Sequence, residues 1–258
     1  MFRKLWSHRD LVVSLVRRQY QVRYRQSMVG IAWAIIPPLA TLGAATLVFG
    51  GIAKIDAGKE GYAIVTMAAL VPWSFFASSL TSGIPSIISS SSTLTRIPFP
   101  RAVLPVSTIG ISMIDLSISA AIFVIMSYTV GSGLPATAVW FPLLFLLEFA
   151  LVLGVVFFAS ALNVFARDVK LAVPLTTQLW LFLTPVLYPL SSVPDNLRPL
   201  VLANPMTGLV ESFRRALVPP GIAPDIGLLL PAIIGAVVLL SLGSWYFTSV
   251  ETRFADVV

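Results

Sequence analysis

Cysteine is missing from this 258-residue sequence, and histidine occurs once, at His8. Without thiolates the chain can form neither a disulfide scaffold nor a Cys/His zinc site. Charged residues are scarce as well: they make up 11% of the chain, against about a quarter in a typical soluble domain. The remainder is rich in apolar residues, at 57%, and the mean hydropathy is +0.92. The shortage of charge therefore argues against a soluble enzyme.

The apolar residues form long uninterrupted runs, as a bilayer requires. Crossing about 30 Å of hydrocarbon at about 1.5 Å per residue takes about 20 helical residues. This length predicts an all-α membrane protein with about six transmembrane helices in a single transmembrane domain, residues 1–258. The expected spans are 30–52, 62–82, 102–130, 139–164, 173–189 and 226–247.

The positive charge is unevenly distributed. The net charge of +6 alone could suggest nucleic acid, but seven of the seventeen Lys and Arg residues lie in the first thirty positions, just before the first span. Such a cluster is typical of a cytoplasmic flank that faces lipid. With the N-terminus inside, the outer loops carry no net charge. The positive-inside rule then predicts a multi-pass membrane protein with both termini in the cytoplasm.

The segment 8–28 has the pattern of an amphipathic helix. Val12, Val16, Tyr20 and Tyr24 form one ridge, and polar residues lie opposite. The pattern predicts an interfacial helix that lies on the inner leaflet and turns its basic residues toward headgroups or a partner. The alternative is a membrane anchor with no role in coupling.

Two of the segments between spans have features beyond those of a simple loop. In the cytoplasmic loop 84–101, Pro98 and Pro100 stop any helix, which leaves a short exposed helix or turn, or an ordinary serine-rich connector. The outer segment 190–225 holds a helix-like apolar pattern from Met206 to Leu217. Its charges are too costly for a seventh span, so short re-entrant helices sheltered by neighbouring spans are expected.

The sequence contains no constellation typical of an enzyme. Gly58-Lys59-Glu60 lacks the upstream glycine and the hydroxyl residue of a phosphate loop, so the chain is not expected to bind ATP. Two carboxylates, Asp115 and Glu148, fall inside spans, and no basic residue is expected inside any span. The sequence thus predicts no intramembrane salt-bridge partner for either. Each is a functional candidate, or is hydrogen-bonded to a serine or threonine of a neighbouring helix.

Aromatic residues are frequent in and near the spans. Most are expected in the interfacial belt or in helix packing. A subset could instead line a conduit, where flat apolar faces would let a sugar chain slide. The candidates for that conduit, together with Asp115, are Trp33, Trp73, Phe76, Trp180, Phe182 and Tyr188.

Short stretches along nearly the whole chain resemble the permease subunits of polysaccharide ABC exporters, the family that exports O-antigen, capsule and teichoic-acid chains. Each stretch is weak alone, and their order is specific. They are Tyr24-Arg25-Gln26-Ser27 with Gly30, Trp33 and Pro37; Val71-Pro72-Trp73-Ser74-Phe75-Phe76; Pro98-Phe99-Pro100-Arg101 with Leu104-Pro105; Asn163-Val164-Phe165-Ala166-Arg167-Asp168-Val169; Thr184-Pro185-Val186-Leu187-Tyr188-Pro189; Asn204-Pro205-Met206; and the ending from Glu251 to Asp256.

The resemblance implies that two copies pair around a conduit for a lipid-linked polysaccharide. Each copy would engage a separate ABC ATPase subunit, which binds ATP and Mg, so this chain would hold no cofactor or metal. The residues expected to couple to the ATPase are Ser91, Thr93, Leu94, Arg96, Arg101, Arg17, Arg18, Arg23 and Arg25. The residues expected at an extracytoplasmic gate are Asn204, Pro205, Met206, Phe213 and Arg214.

Two other functions remain open. One is a drug or lipid ABC exporter with the same architecture, which would transport hydrophobic dyes. The other is an ion- or proton-driven carrier, which predicts inverted repeats and several intramembrane charges. The sequence has only two isolated carboxylates in its expected spans and no visible repeat, which argues against the carrier.

Overall fold

The computed structural model describes residues 2–25, 30, 32–55, 58–90 and 99–254. All regular structure in these ranges is helical, as expected for an all-α protein. The helices are α1 (Phe2–Ser7), α2 (Arg9–Tyr20), α3 (Ala32–Ala45), α4 (Tyr62–Gly83), α5 (Ser86–Ser89), α6 (Val103–Thr129), α7 (Phe141–Phe165), α8 (Val169–Leu183), α9 (Arg198–Ala203), α10 (Pro205–Leu217) and α11 (Ile226–Val250). Tighter or wider helical turns extend several of them, including π-helical turns at Gln21–Arg25 after α2 and Thr46–Ile52 after α3.

Five helical segments are long and apolar enough to cross a membrane: Ala32–Ile52, Tyr62–Gly83, Val103–Thr129, Ala136–Phe165 and Ile226–Arg253. With the shorter apolar helix α8 they confirm the expectation of about six spans. The predicted bounds agree within a few residues, except in the fifth span.

The fifth predicted span, 173–189, is wrong at its outer end, because α8 runs from Val169 to Leu183 and stops there. Thr184 has extended backbone, with φ −104° and ψ 134°. The residue before a proline is disfavoured in the helical region, so Pro185 ends the helix. The apolar run continues beyond that point, which is why hydropathy alone placed the end too late.

The span α4 forms the centre of the bundle. Its most apolar stretch is 72% buried, whereas those of α3 and α11 are 17% buried. The helix α11 packs along α7 so closely that a Cβ on Gly243 would lie 2.3 Å from the carbonyl oxygen of Gly154. Small residues at such crossings let helix backbones touch. The helices α7 and α11 therefore form a closely packed pair beside the central α4, and α3 lies at the edge of the bundle.

The re-entrant helix expected from the apolar pattern is α10. Pro205 occupies its first turn, and the Asn204 side chain accepts a hydrogen bond from the Met206 amide, a favourable start for a helix. A Cβ on Gly235 would lie 3.1 Å from Pro205, and Gly235 is about 14 Å along α11 from Ile226 at helical rise. The start of α10 therefore reaches deep among the spans, packed against α4, α7 and α11.

The N-terminal segment is amphipathic in the way its sequence predicts: α2, continued by the π-helical turn Gln21–Arg25, covers most of the predicted range 8–28, and the short α1 precedes it. Tyr24 is buried with Ile111 of α6, and Val16 and Tyr20 pack against them. Asp10, Ser14, Arg17 and Gln21, on the opposite face, are exposed. The predicted end of this helix, residues 26–28, lies outside the described residues.

Candidate functional site

A cavity of about 570 Å³ lies between α3, α4 and α8, beside the N-terminal segment. Its walls include the aromatic face of Trp73 and the guanidinium-bearing side chain of Arg23. The largest polar contribution comes from hydroxyl groups, which are those of Thr41, Ser74, Ser78, Thr81 and Ser82. The cavity is therefore mainly apolar in outline, with hydroxyls along one wall and a cation at one end.

The hydroxyls of α4 form a single stripe because they recur at helical spacing, from Ser74 to Ser78, Thr81 and Ser82. Three of them donate back into the helix: Ser74 to the Val71 carbonyl at 2.9 Å, Thr81 to that of Ala77 at 2.8 Å, and Ser82 to that of Ser78 at 2.6 Å. Their oxygens keep acceptor capacity toward the cavity. Sequence reasoning missed this stripe, although its spacing inside an apolar span was a readable signal.

The aromatic residues predicted to line a conduit separate into three groups. Trp73 lines the cavity. Phe76 lies behind it, fully buried, with ring centroids 5.5 Å from Trp73 and 5.1 Å from Trp180. Trp33 and Phe182 are both 53% exposed and do not line the cavity. Of these predicted conduit residues, Trp73 therefore lines the cavity, and Phe76 and Trp180 pack behind it.

Tyr188 belongs to the turn after α8 rather than to a span. Its hydroxyl donates to the Phe182 carbonyl at 2.8 Å, which holds the turn against the end of α8. Burial raises the pKa of Tyr188 above its ordinary value, so the hydroxyl stays protonated and able to donate.

Asp115 is held by a buried network at the inner part of the cavity. The Arg23 Nη1 lies 3.0 Å from its Oδ2, and the Ser78 hydroxyl donates to the same oxygen at 2.9 Å. The Tyr24 hydroxyl donates to Oδ1. Asp115 therefore has a salt-bridge partner that the sequence did not identify. The partner is not in a span but in the π-helical turn after α2, which only the tertiary fold brings to α6.

The second intramembrane carboxylate, Glu148, is in a different environment. It is fully buried on α7, and neither carboxylate oxygen has a hydrogen-bond partner among the residues that the structure describes. Glu148 and Asp115 share no bonded group there, so no described chain of hydrogen bonds connects them. Within the same residues, no three His, Asp or Glu side chains lie close enough together to hold a metal ion.

Asn204, predicted as a gate residue, joins three elements. Its side-chain oxygen accepts from the Met206 amide at 3.1 Å and from the Trp180 indole at 3.2 Å. Its amide group donates to the Thr184 hydroxyl at 2.8 Å. A predicted conduit residue on α8 and the start of α10 are therefore directly bonded. Asn204 is thus a direct hydrogen-bonded link between α8 and α10.

Arg214 binds the C-terminal part of α10 to its neighbours. It is buried and donates to Glu211 Oε2 at 2.8 Å, to the Pro185 carbonyl at 2.7 Å and to the Val186 carbonyl at 3.1 Å. On the same helix, Phe213 packs edge-on against Phe141 of α7 at 5.4 Å. A buried guanidinium is tolerable only when its donors are satisfied in this way.

Arg101, which is predicted to couple to the ATPase, is hydrogen-bonded to a residue just after α11. Its backbone amide donates to Glu251 Oε1 at 2.8 Å, its guanidinium donates to the Glu251 carbonyl, and it lies 5.8 Å from the ring centroid of Phe254. The end of α11 is thereby tied to the start of α6. Any displacement at the start of α6 reaches α11 directly.

The remaining predicted coupling residues are described only in part. Ser91, Thr93, Leu94 and Arg96 lie outside the described residues, as does the side chain of Arg25. Arg17 is exposed on α2. Arg18 and Arg23 line cavities on the inner side of the fold.

Comparison with known proteins assigns the chain to a family. The family model of ABC-2 type transporters matches residues 10–218, from α2 through the end of α10. The chain is 31% identical to the O-antigen export system permease protein RfbA of Myxococcus xanthus, over 99% of this chain and 98% of that protein. Two proteins of the same name from Klebsiella pneumoniae are 27% and 26% identical, over 80% and 96% of this chain and 79% and 95% of their own lengths.

These relatives are permease subunits, and in such transporters a separate ABC ATPase subunit hydrolyses ATP. The multi-pass helical architecture, the re-entrant α10 and the inward cavity all fit a membrane-spanning transport subunit. The chain belongs to the ABC-2 type transporter family.

Proposed function

We propose that this chain is the membrane-spanning subunit of an exporter that moves a lipid-linked polysaccharide, such as O-antigen, out of the cytoplasm. The observation that carries the proposal is the cavity between α3, α4 and α8, with its hydroxyl stripe and the face of Trp73. The names of the relatives, O-antigen export permeases along nearly the whole chain, support the choice of substrate.

The chemistry of the cavity suits a sugar chain that must move. An aromatic face offers apolar contact with a sugar ring and no strong directional bond. Hydroxyls already bonded to their own helix can accept hydrogen bonds from a sugar without leaving a costly orphan group when the sugar passes. A wall of charged residues would instead hold the chain in one place.

In the assembly that we propose, two copies of the chain face each other in the inner membrane, so that their cavities form one conduit. Both termini lie in the cytoplasm, in keeping with the basic N-terminal segment. Each copy contacts one ATPase subunit through α5 and the loop that follows it, residues 91–98, which include Arg96. The outer end is closed by α10.

Motion in this scheme begins when the partner ATPases close and push the loop after α5. Arg101 and Glu251 carry the displacement to α11. Asn204 carries movement of α8 to the start of α10, which opens the outer end. ATP and Mg are bound by the partner subunit.

A bulky substitution inside the cavity tests the conduit. Ala77 lines it, so Ala77→Trp should obstruct the path, while insertion of the chain and binding of the ATPase subunit stay intact. Surface glycan in cells and glycan transport in proteoliposomes are the measurements. The matched control is Ala121→Trp, at an exposed position of α6, which should export normally.

Normal glycan export by Ala77→Trp would contradict the proposed conduit. Export of hydrophobic dyes by the wild-type complex, with no change of surface glycan when the chain is deleted, would favour a drug or lipid exporter instead. Charge reversal at Arg96 tests coupling separately: Arg96→Glu should leave insertion intact but uncouple ATP hydrolysis from export.

A further inference from the structure

A second cavity, of about 360 Å³, lies where α2 meets the inner end of α4, the helix α5 and the start of α6. Two arginines, Arg18 and Arg23, face it together with polar groups from both sides. The polar groups are those of Gln19, Ser82, Ser89 and Ser90. None of these positions belongs to the wall that a passing sugar chain would use, apart from Arg23 and Ser82.

The charge of this second cavity is not balanced within the described structure. Arg18 makes no ion pair with any described residue. Arg23 has one carboxylate partner, Asp115, and its side chain stays 44% exposed. Two guanidinium groups and one carboxylate leave a net positive cavity, which favours an anion rich in acceptor oxygens.

The second cavity is also partly apolar and shares two lining residues with the first. Leu15, Val22, Leu104 and Ile111 contribute its apolar lining. Arg23 and Ser82 line both cavities, so the cationic end of the first adjoins the second. A ligand that suits both features has an anionic head and an apolar tail, and its head lies at the start of the proposed conduit.

We propose that this cavity binds the phosphoryl group, phosphate or diphosphate, of a lipid from the inner leaflet, with Arg18 and Arg23 as its ligands. The proposal rests on the proposed function, because the same head would link the lipid to the exported glycan. Guanidinium groups bind phosphoryl oxygens through paired hydrogen bonds. The Gln19 amide nitrogen, which donates one proton to Ser107 at 3.2 Å, has a second proton to donate, whereas the hydroxyls of Ser82 and Ser89 already donate to backbone carbonyls.

Asp115 then has a positioning role. It holds Arg23 at the junction of the two cavities until a phosphoryl group offers a second anion to the same guanidinium. Tyr24 and Ser78 keep Asp115 in place by donating to its two oxygens. Binding of the headgroup and the Arg23–Asp115 pair compete for one cation.

The test measures binding rather than export. The full chain in phosphatidylcholine nanodiscs is titrated with polyprenyl phosphate, and the loss of one guanidinium in Arg18→Gln should weaken binding about tenfold. Arg17→Gln removes the same charge from the exposed neighbouring position and should bind as the wild type does. Equal weakening by the two substitutions would mean a general surface-charge effect and would overturn the site.

A second substitution tests Arg23 through a gain of binding, which a misfolded protein would not show. Asp115→Asn frees Arg23 and should tighten polyprenyl phosphate binding severalfold. Unchanged or weaker binding by Asp115→Asn would overturn the competition between Asp115 and the headgroup.

Inorganic pyrophosphate is the probe for a free anion. It should compete only weakly with the lipid, because it cannot use the apolar lining; pyrophosphate that binds as tightly as the lipid would overturn the lipid assignment. Failure here is distinguishable from failure of the proposed function. Loss of the lipid site leaves the effect of Ala77→Trp on glycan export standing, and lipid binding without glycan export would contradict only the substrate.

Discussion

Two arginine–carboxylate pairs of this molecule are built in opposite ways. In the first, on the inner side in the proposed topology, Arg23 reaches Asp115 from a distant part of the chain, and its guanidinium stays partly open to two cavities. In the second, on the outer side in that topology, Arg214 pairs with Glu211 one helical turn away, and its side chain is only 9% exposed. The first pair joins separate elements, and the second lies within one helix.

The difference between the pairs is in what else each arginine touches. Arg214 also donates to the carbonyls of Val65, Pro185 and Val186, so its displacement would break several bonds at once. Arg23 has one charged partner and free space beside it. The outer pair therefore fixes α10 to the turn after α8, whereas the inner pair can exchange its partner.

The largest expected effect comes from removing the outer cation. Arg214→Met should lower the free energy of unfolding by about 3 kcal/mol, because the largely buried Glu211 loses its shorter ion pair and keeps only Arg215 at 3.5 Å. Thermal unfolding of the detergent-solubilised protein measures it. Arg198→Met is the control, since Arg198 pairs with exposed Asp195 and should matter little. Equal effects of the two substitutions would contradict the expected difference in stability between a buried ion pair and a surface ion pair.

The inner pair should be sensitive to the loss of one supporting hydroxyl. Tyr24→Phe removes the donor to Asp115 Oδ1 and should cost about 1–3 kcal/mol of stability, the range for a buried acceptor left unsatisfied. Burial and the nearby Asp115 carboxylate raise the pKa of Tyr24, so the hydroxyl donates at all physiological pH values. Tyr20→Phe, on the neighbouring ring of the same ridge, is the control. Thermal unfolding and polyprenyl phosphate binding of both variants would show whether the network supports the second cavity.

A smaller effect is expected at the link between α8 and α10. Asn204→Ala removes a helix cap and two bridging bonds, so a loss of about 1–2 kcal/mol is expected. The control is Asp225→Ala, which removes the exposed cap of α11 at the Gly227 amide and a long 4.0 Å ion pair with Arg215, but no bond to α8. Uncoupled ATP hydrolysis should accompany only Asn204→Ala. If both variants coupled ATP hydrolysis to export normally, the only role of Asn204 would be to cap α10.

The smallest effect is a pH dependence in the outer loops. Glu60 accepts from the Ser132 hydroxyl at 2.6 Å and from its amide at 2.9 Å, and these bonds hold the pKa of Glu60 below its ordinary value. Because the pKa of Glu60 is lower in the folded state, its ionised carboxylate stabilises the fold at pH values above the ordinary pKa. This stability is lost as the pH falls through the lowered pKa. The protection factor of the Ser132 amide, which compares its exchange rate with the intrinsic rate at the same pH, should therefore fall on acidification in the wild type. In Glu60→Gln the protection factor should not show this fall.

Much of the fold could be predicted from local hydropathy. The length of each apolar run sets a span, and the charges in the segment of α10 exclude a seventh span, so the re-entrant helix was predictable. The outer end of α8 was not, because the run of apolar residues continues past the point where Pro185 stops the helix. Hydropathy measures affinity for lipid and says nothing about backbone geometry.

The candidate site was predictable only in part. Trp73 was selected as an aromatic residue of a span and does line the cavity, whereas Trp33 and Phe182, selected by the same reasoning, are exposed away from it. Composition does not say how a helix is rotated. The hydroxyl stripe of α4 had a readable period, but its meaning depended on which side of α4 faces α3 and α8.

By itself the sequence determined residence in a membrane, the number of spans and the presence of a short charged helix between the last two. These follow from the free energy of transferring successive residues into lipid, which adds up locally along the chain. Only the tertiary structure decided that Arg23 meets Asp115, that Asn204 joins α8 to α10, and that two cavities share one cation. These contacts depend on the rotation and register of packed helices, which a sum of transfer free energies along the chain does not determine.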